Sequence, residues 1–425
     1  MAKHKKKLSQ VQQMKLITAH NRKEFFRKFE RIVTLISGSS NTIKLIPPAI
    51  LENYYIYRFH AVKVEAAFGY SIDPFVLEDV KQGISVHLRK ESTPVNEKGD
   101  TITLEELMTI GLTLLLQTRM FEQTLEKTAA PFIVLLKDLL KKQEAPESGF
   151  HTAFGIIRMM GLFVSNISTS LYSVEIKNEQ VEPKFYVSVK ISKHVQEKVY
   201  ITIAGISRAT VRVGWGFNQE GVIWCLCSPA LFGLPENDGS DKLPVFIQTH
   251  ALQRLEERLD CVHDNLATYY IYEAVTDGII IKRPDNNFLI EYKFNKKKAG
   301  YLLAGIYGDK VVIRTFLFLT NNGTPEGKKL QELAGIQKQD KQYLLLDKLS
   351  TFMNPDLRKN ETLRRLFFDA GCGDLFELTK GQTFGGVVDY TNINVKSMLD
   401  YLMLKPVDAE APPDFSDSLG RSRYR

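Results

Sequence analysis

The sequence predicts an α+β protein, and three observations point to it. Residues 8–143 are dominated by apolar residues at helical spacing. Residues 184–228 alternate apolar and polar residues with period two. Residues 245–319 place two helical stretches ahead of four strand-like runs. The chain therefore reads as five regions: a helical N-terminal region with a basic arm (1–143), a helix plus a central antiparallel β meander (150–233), a second α+β block with an antiparallel sheet (244–320), a helical C-terminal region (325–405) and a disordered tail (406–425). With 44% hydrophobic and 25% charged residues, the composition excludes a mainly disordered, collagen-like or disulfide-scaffold protein.

In the first region Phe25, Phe26, Phe29, Ile32 and Val33 recur at helical spacing. Pro47 and Pro48 mark a helix start or a sharp turn. Thr103 with Glu106 forms a T-x-x-E capping pattern before an apolar run. That helix is expected to reach about Lys127, with Pro131 opening the next. Its stripe of Leu112, Leu115, Leu116 and Met120 reads as core.

In the meander, Phe185, Val187, Val189 and Ile191 alternate with Tyr186, Ser188 and Lys190, and three further runs repeat the pattern. The polar side carries Tyr186, Lys190, Tyr200 and Arg212. Rings that stack bases beside cations that meet phosphates are one use of such a face; solvation is the other. In the second block the strand-like runs are separated by turns at Pro284–Asn286, Asn295–Lys298 and Gly308–Asp309. Further on, GCGD and GQTFGG are rich in glycine. DAGCGDL lacks the strand–loop–helix context of a phosphate-cradling loop.

The net charge of +7 is unevenly spread. Residues 1–32 hold ten Lys/Arg against two acids, a net +8, which leaves −1 for the remainder. Lys5, Lys6 and Lys7 lie in this arm, which suits polyanions, or else forms the charged start of a solvated helix. Four cysteines argue against a disulfide framework. Cys225 and Cys227 sit two apart in a strand-like run with no second ligand pair, so they read as buried core rather than zinc ligands. No signal peptide is evident, and the most apolar run, Leu107–Gln117, is about half the ~20 residues that span a bilayer. A cytoplasmic protein without membrane, cofactor or metal is expected.

His250, Arg254 and Arg258 are spaced four apart. On a helix they line one stripe, while Ala251, Leu252, Leu255 and Leu259 line another. This start, HALQRLEER, is followed by a helix and antiparallel strands. It resembles the RelE/BrnT-like toxin superfamily of the barnase–colicin–RelE ribonuclease fold, over about 75 residues of the chain. The resemblance implies that the helix packs on the sheet, and that basic and aromatic side chains bind and cleave RNA without metal. Only His250, Arg254 and Arg258 match the start motif, and no sheet residue is carried over.

The chemistry of that expectation is coherent. Histidine transfers protons near neutrality, and arginine forks hold phosphate. His250, Arg254 and Arg258 are the candidate catalytic residues. Lys282, Arg283 and Arg314 are candidate cations on the strands. Toxins of this superfamily are typically short, whereas this block has large flanks and is nearly neutral, with ten Lys/Arg and nine Asp/Glu over 244–320. The sequence thus points to a nucleic-acid-associated protein with RNA as preferred ligand, and to metal-independent ribonuclease activity as its catalytic form. The rival is a non-catalytic structural or protein-interaction protein in which the toxin-like block is a scaffold.

Overall fold

The strands marked by alternation are formed, but they pair in separate sheets. A computed structural model describes residues 9–143, 148–218, 221–235, 242–378 and 393–403. Lys5, Lys6, Lys7, the GQTFGG segment and the tail from 406 lie outside the described residues. The chain forms an α+β fold in two units. One comprises Met1–Val195 with Trp215–Ile223, the other Gln196–Gly214 with Trp224–Arg425.

In the first unit, Ser9 and Gln12 form a capping box that starts a helix at Gln10–Ser37. Phe29, Ile32, Val33 and Ile36 are buried on it, whereas residues 10–23 are exposed throughout. Pro48 opens the helix Pro48–Ile56, as expected of proline at a first helical position. Thr103 and Glu106 form the anticipated capping box. The helix then departs from expectation. Leu107–Gly111 is a π-helical turn, and its extra residue rotates the following segment by about 100°. In Leu112–Met120 the buried residues are therefore Thr113, Leu114, Gln117 and Thr118, while Met120 is exposed and Leu112, Leu115 and Leu116 are half-buried. The buried hydroxyls are used: Thr113 accepts from the Phe59 N–H at 2.9 Å, and Thr118 shares a hydrogen bond with Tyr54 at 3.2 Å. Ahead of Pro131 the backbone leaves helical geometry at Ala129 (φ −138°), within Glu122–Gln143.

Up to Val195 the first-unit strands are β1 (Lys63–Ala66), β2 (Ser92–Pro94), β3 (Thr101–Thr103), β4 (Ser170–Val181) and β5 (Lys184–Val195). β2 and β3 form a small antiparallel pair. β5 lies between β4, antiparallel, and β1, parallel. Helices Pro74–Lys90 and Gly149–Val164 pack on this sheet, and Val187, Val189 and Ile191 are fully buried in its core. The expected continuous meander is not formed. Both edges of β5 are occupied, so the next strand has nowhere to join it and pairs forward instead.

That next strand is β6 (Lys198–Ile203), paired with β7 (Ile206–Arg212) across a turn in which Ala204 and Gly205 take positive φ. β8 (Gly214–Asn218) and β9 (Gly221–Trp224) form a separate pair, most of which (Trp215–Ile223) belongs to the first unit. There follow β10 (Leu226–Cys227), β11 (Leu243–Gln248), β12 (Ile280–Lys282), β13 (Phe288–Phe294), β14 (Lys297–Tyr307) and β15 (Lys310–Phe318). The second-unit sheet runs β12-β13-β14-β15-β11-β7-β6, with β10 beside β11. It is antiparallel except where β11 meets β15 in parallel. The polar face read across the meander is consequently split. Tyr186 stacks on His60 and Lys190 joins Glu65 and Glu179 in one unit; Tyr200 and Arg212 stand in the other.

Helix Thr249–Arg258 packs on β15 and helix Asp264–Asp277 on β13. The first buries Ala251, Leu252, Leu255 and Leu259, the stripe predicted to face inward. Helices from Pro325–Ala334 to Asp374–Glu377, followed by Val395–Met403, belong to this unit, where Phe318, Phe352, Phe367 and Phe376 form an aromatic cluster.

Lys190 and Lys63 donate to Glu65 and hold its carboxyl down to about 2. A depressed carboxylate stabilises the fold above its ordinary value near 4.5, and that contribution is lost as pH falls through about 2. Glu65→Gln should therefore lower the melting midpoint at neutral pH. The gap to wild type should close between about pH 4.5 and 2. A gap independent of pH would rule out the charge as its source.

Candidate nucleic-acid interface

Of the six described candidate residues, His250, Arg254 and Arg258 lie on the helix side of the second-unit sheet, Arg283 and Arg314 on the other, and Lys282 by register on the helix side at the edge strand β12. Side chains alternate along a strand, so Val245 and Ile247, paired with Val311 and Ile313, share one face, and Phe246 with Val312 the other. Phe246 and Val312 form a small cluster with Ile203, Val199, Ile201 and Tyr307 that contains no residue of the two helices. The helices cover the first face.

On the helix side, His250 is exposed at the first turn. Partial burial, then Arg254 and Arg208, pull its pKa down, which favours the neutral, proton-accepting ring. Arg254 is paired at 2.7 Å with Glu257, a residue whose spacing puts it off the stripe. Three residues apart on a helix are neighbours, so this pair is local. Arg258 is not available. It is 16% exposed and bonded to Asp347, itself 11% exposed. Beside it, Asp260 accepts from Ser350 N–H at 3.0 Å and Ser350 Oγ at 2.7 Å. The end of this helix is thus fastened to residues 347–350.

Lys282 is exposed on the edge strand β12, but its partner Phe288 is in register with Ala304 and Ile313, so it faces the helix side and stands apart from the other two strand cations. Arg314 is the extra residue of a β-bulge, because Leu303 pairs with Thr315 and Ala304 with Ile313. The bulge aims its guanidinium across β14 to Asn287 Oδ1 at 3.1 Å. Arg283 donates to the Gly323 carbonyl at 3.3 Å and lies 3.5 Å from Asp285, while its backbone N–H bonds the Asn287 carbonyl. Asn287 therefore gathers both arginines. Gly305 leaves the space between Asn287 and Tyr307; a Cβ there would stand 3.3 Å from Asn287 Oδ1 and 3.0 Å from the Tyr307 ring. Sequence patterns do not single out Asn287 or Tyr307. A terminal turn residue and a strand aromatic carry no signal until the bulge brings them beside Arg314.

Two further polar clusters are also invisible in the sequence. Lys298 donates to Glu326 at 2.6 Å, to Tyr301 at 3.2 Å and to Glu291 at 3.3 Å, and one oxygen of Glu326 stays buried without a partner. Burial pulls the Lys298 ammonium down, but Glu326 and Tyr301 more than offset it, so the pKa is raised and the group acts as a fixed charge, not a nucleophile. Lys341, 2% exposed, is held by three oxygens of the loop after β15. Cys225 and Cys227 are buried as predicted, and the thiol of Cys227 is pushed up by Cys225 and by burial. Among the described residues no group of three or more His, Cys, Asp or Glu is placed to hold a metal. No described helix is long and apolar enough to cross a membrane.

The two arginines of the helix should behave differently. Arg258→Ala leaves Asp347 buried and unpaired, and should cost about 3 kcal/mol of unfolding free energy. Arg254→Ala, at a half-exposed local pair, should cost less than about 1 kcal/mol. Denaturant titration distinguishes them; equally small effects would mean that Arg258 does not fasten the helix.

Compared with known proteins, the chain matches no protein-family model, no curated protein and no solved structure.

Proposed function

We propose that this protein associates with nucleic acid, with RNA as the preferred ligand, through the place where Arg283 and Arg314 meet, on the side of the sheet away from helices Thr249–Arg258 and Asp264–Asp277. The observation that carries this reading is the gathering of Arg283 and Arg314 around Asn287, beside Tyr307. Each guanidinium has five N–H donors, and Arg314 spends one on Asn287, so donors remain for phosphate oxygens. Tyr307 offers a ring for a base. Lys282, on the other face, and Lys5, Lys6 and Lys7 of the basic arm are separate candidate polyanion contacts. A cytoplasmic location belongs to the same reading and is supported by four free cysteines.

Binding is favoured over cleavage. His250, the proton-transfer candidate, lies on the helix side, and the arginine pair lies on the opposite face. A second reading, an interaction protein with a scaffold-like block, draws on the fastening of Arg258 to Asp347.

The test uses a short single-stranded RNA with chelator present. Arg283→Ala and Arg314→Ala should each weaken binding and reduce the salt slope by about 0.7 for each phosphate no longer neutralised. His250→Ala should leave affinity unchanged. Truncation must stop at Lys23, because Phe29 and Ile32 are core; removing residues 1–23 should lower affinity and slope further. Unaltered affinity in both arginine variants would leave the scaffold reading standing. RNA cleavage that disappears in His250→Ala would restore the ribonuclease reading.

A further inference from the structure

The loop from Thr320 to Gly327 has the form of a small cation cage. Three of its oxygens, the Thr320 carbonyl, the Gly327 carbonyl and Asn322 Oδ1, converge on the Lys341 ammonium, with the two carbonyls at 2.8 and 2.7 Å. An ammonium has three N–H donors, and all three are used. Lys341 comes from a separate helix, Lys338–Tyr343, and is 2% exposed, so the charge is held inside the unit. Removal from water pulls its pKa down to about 8; the three oxygens replace the water that burial strips away. The loop is closed tightly. A Cβ on Gly327 would collide with the carbonyls of Asn321 and Thr320, and Thr324 Oγ1 both donates to Leu319 and accepts from the Gly327 N–H.

The same loop has an outward face. Between Thr320 and Thr324, Gly323 turns its carbonyl to Arg283 at 3.3 Å. The N–H of the same peptide, that of Thr324, donates to the Asn321 carbonyl at 2.9 Å, and Asn321 Oδ1 accepts the preceding Gly323 N–H at 2.8 Å, so the orientation of that carbonyl is fixed. One short segment thus grips an internal cation on one side and holds a surface arginine on the other.

We propose that Thr320–Gly327 is a cation site occupied by the chain's own Lys341, and that this internal ammonium positions Arg283 for phosphate. Lys341 is a positioning residue; it acts through Gly323 and does not touch the ligand. The positioning role rests on the nucleic-acid reading above, whereas the cage does not. Opening the cage by removing the side chain should leave a place that ammonium ion fills and that a quaternary ammonium, which has no N–H, does not.

The experiment takes full-length Lys341→Ala and compares its melting midpoint in ammonium chloride and tetramethylammonium chloride at equal ionic strength. The expected result is a midpoint below wild type that ammonium raises selectively; wild type should not distinguish the salts. Equal midpoints of the variant in both salts would overturn the cage. RNA affinity is measured in parallel for Lys341→Ala, Arg283→Ala and the double variant. The two single changes should lower affinity by the same factor, the double variant no further, and ammonium should restore only Lys341→Ala. Independent, multiplying effects would overturn the positioning role. Should Lys341→Ala not fold, Asn322→Ala removes one oxygen from the cage. It should lower the midpoint and give the same non-additive drop in affinity with Arg283→Ala; failure of either overturns the proposal. If wild type does not bind RNA, the functional reading fails while the salt comparison still decides the cage.

Discussion

The parallel pairing of Val245–Ile247 with Val311–Ile313 governs the second unit. Strands that run the same way cannot be joined by a tight turn, so the chain between β11 and its sheet partners must cross over. The connection runs through the helices Thr249–Arg258 and Asp264–Asp277, which land on one face, and then through β12, β13 and β14, while Glu326 of helix Pro325–Ala334 meets Tyr301 on the other. Every later feature follows from that division. His250 and Arg254 ride on the outer side of a covering helix. Arg283 and Arg314 come together on the opposite side of the sheet.

Buried cations then join the C-terminal helices to this sheet. Arg258 meets Asp347, Lys298 meets Glu326, and Lys341 is held by the loop after β15. A buried charge is tolerable only with partners, so each of these contacts selects one arrangement of the helices and penalises others. The aromatic cluster of Phe318, Phe352, Phe367 and Phe376 supplies apolar contact in the same region. Lys341 holds the Thr320 and Gly327 carbonyls and Asn322, on either side of the Gly323 carbonyl that accepts from Arg283.

Much of the local structure is legible in the sequence. The capping box at Thr103 and Glu106, the helix break before Pro131 and the inward stripe of Ala251, Leu252, Leu255 and Leu259 all rest on interactions within a few residues. The strand runs from Ile280 to Phe318 follow the same logic, except that the Asn295–Lys298 turn closes at Asn295 and Lys296, both at positive φ. The stripe at Leu112–Met120 is misleading, because one π-helical turn shifts the phase of everything after it. β11 is hidden because Val245, Phe246 and Ile247 are continuously apolar and show no period.

The sequence by itself determined the α+β class, the helix caps, the amphipathic stripe and the basic arm, since neighbours in the chain set each of them. Tertiary structure alone decided which sheet each strand joined, because an edge is free or occupied only once other strands have paired. It also decided which cations could serve a ligand. Spacing put Arg258 in line with His250 and Arg254, yet Asp347, 89 residues away, claims it. Arg283 and Arg314 are distant in sequence, yet a bulge and the amide of Asn287 bring them to one place.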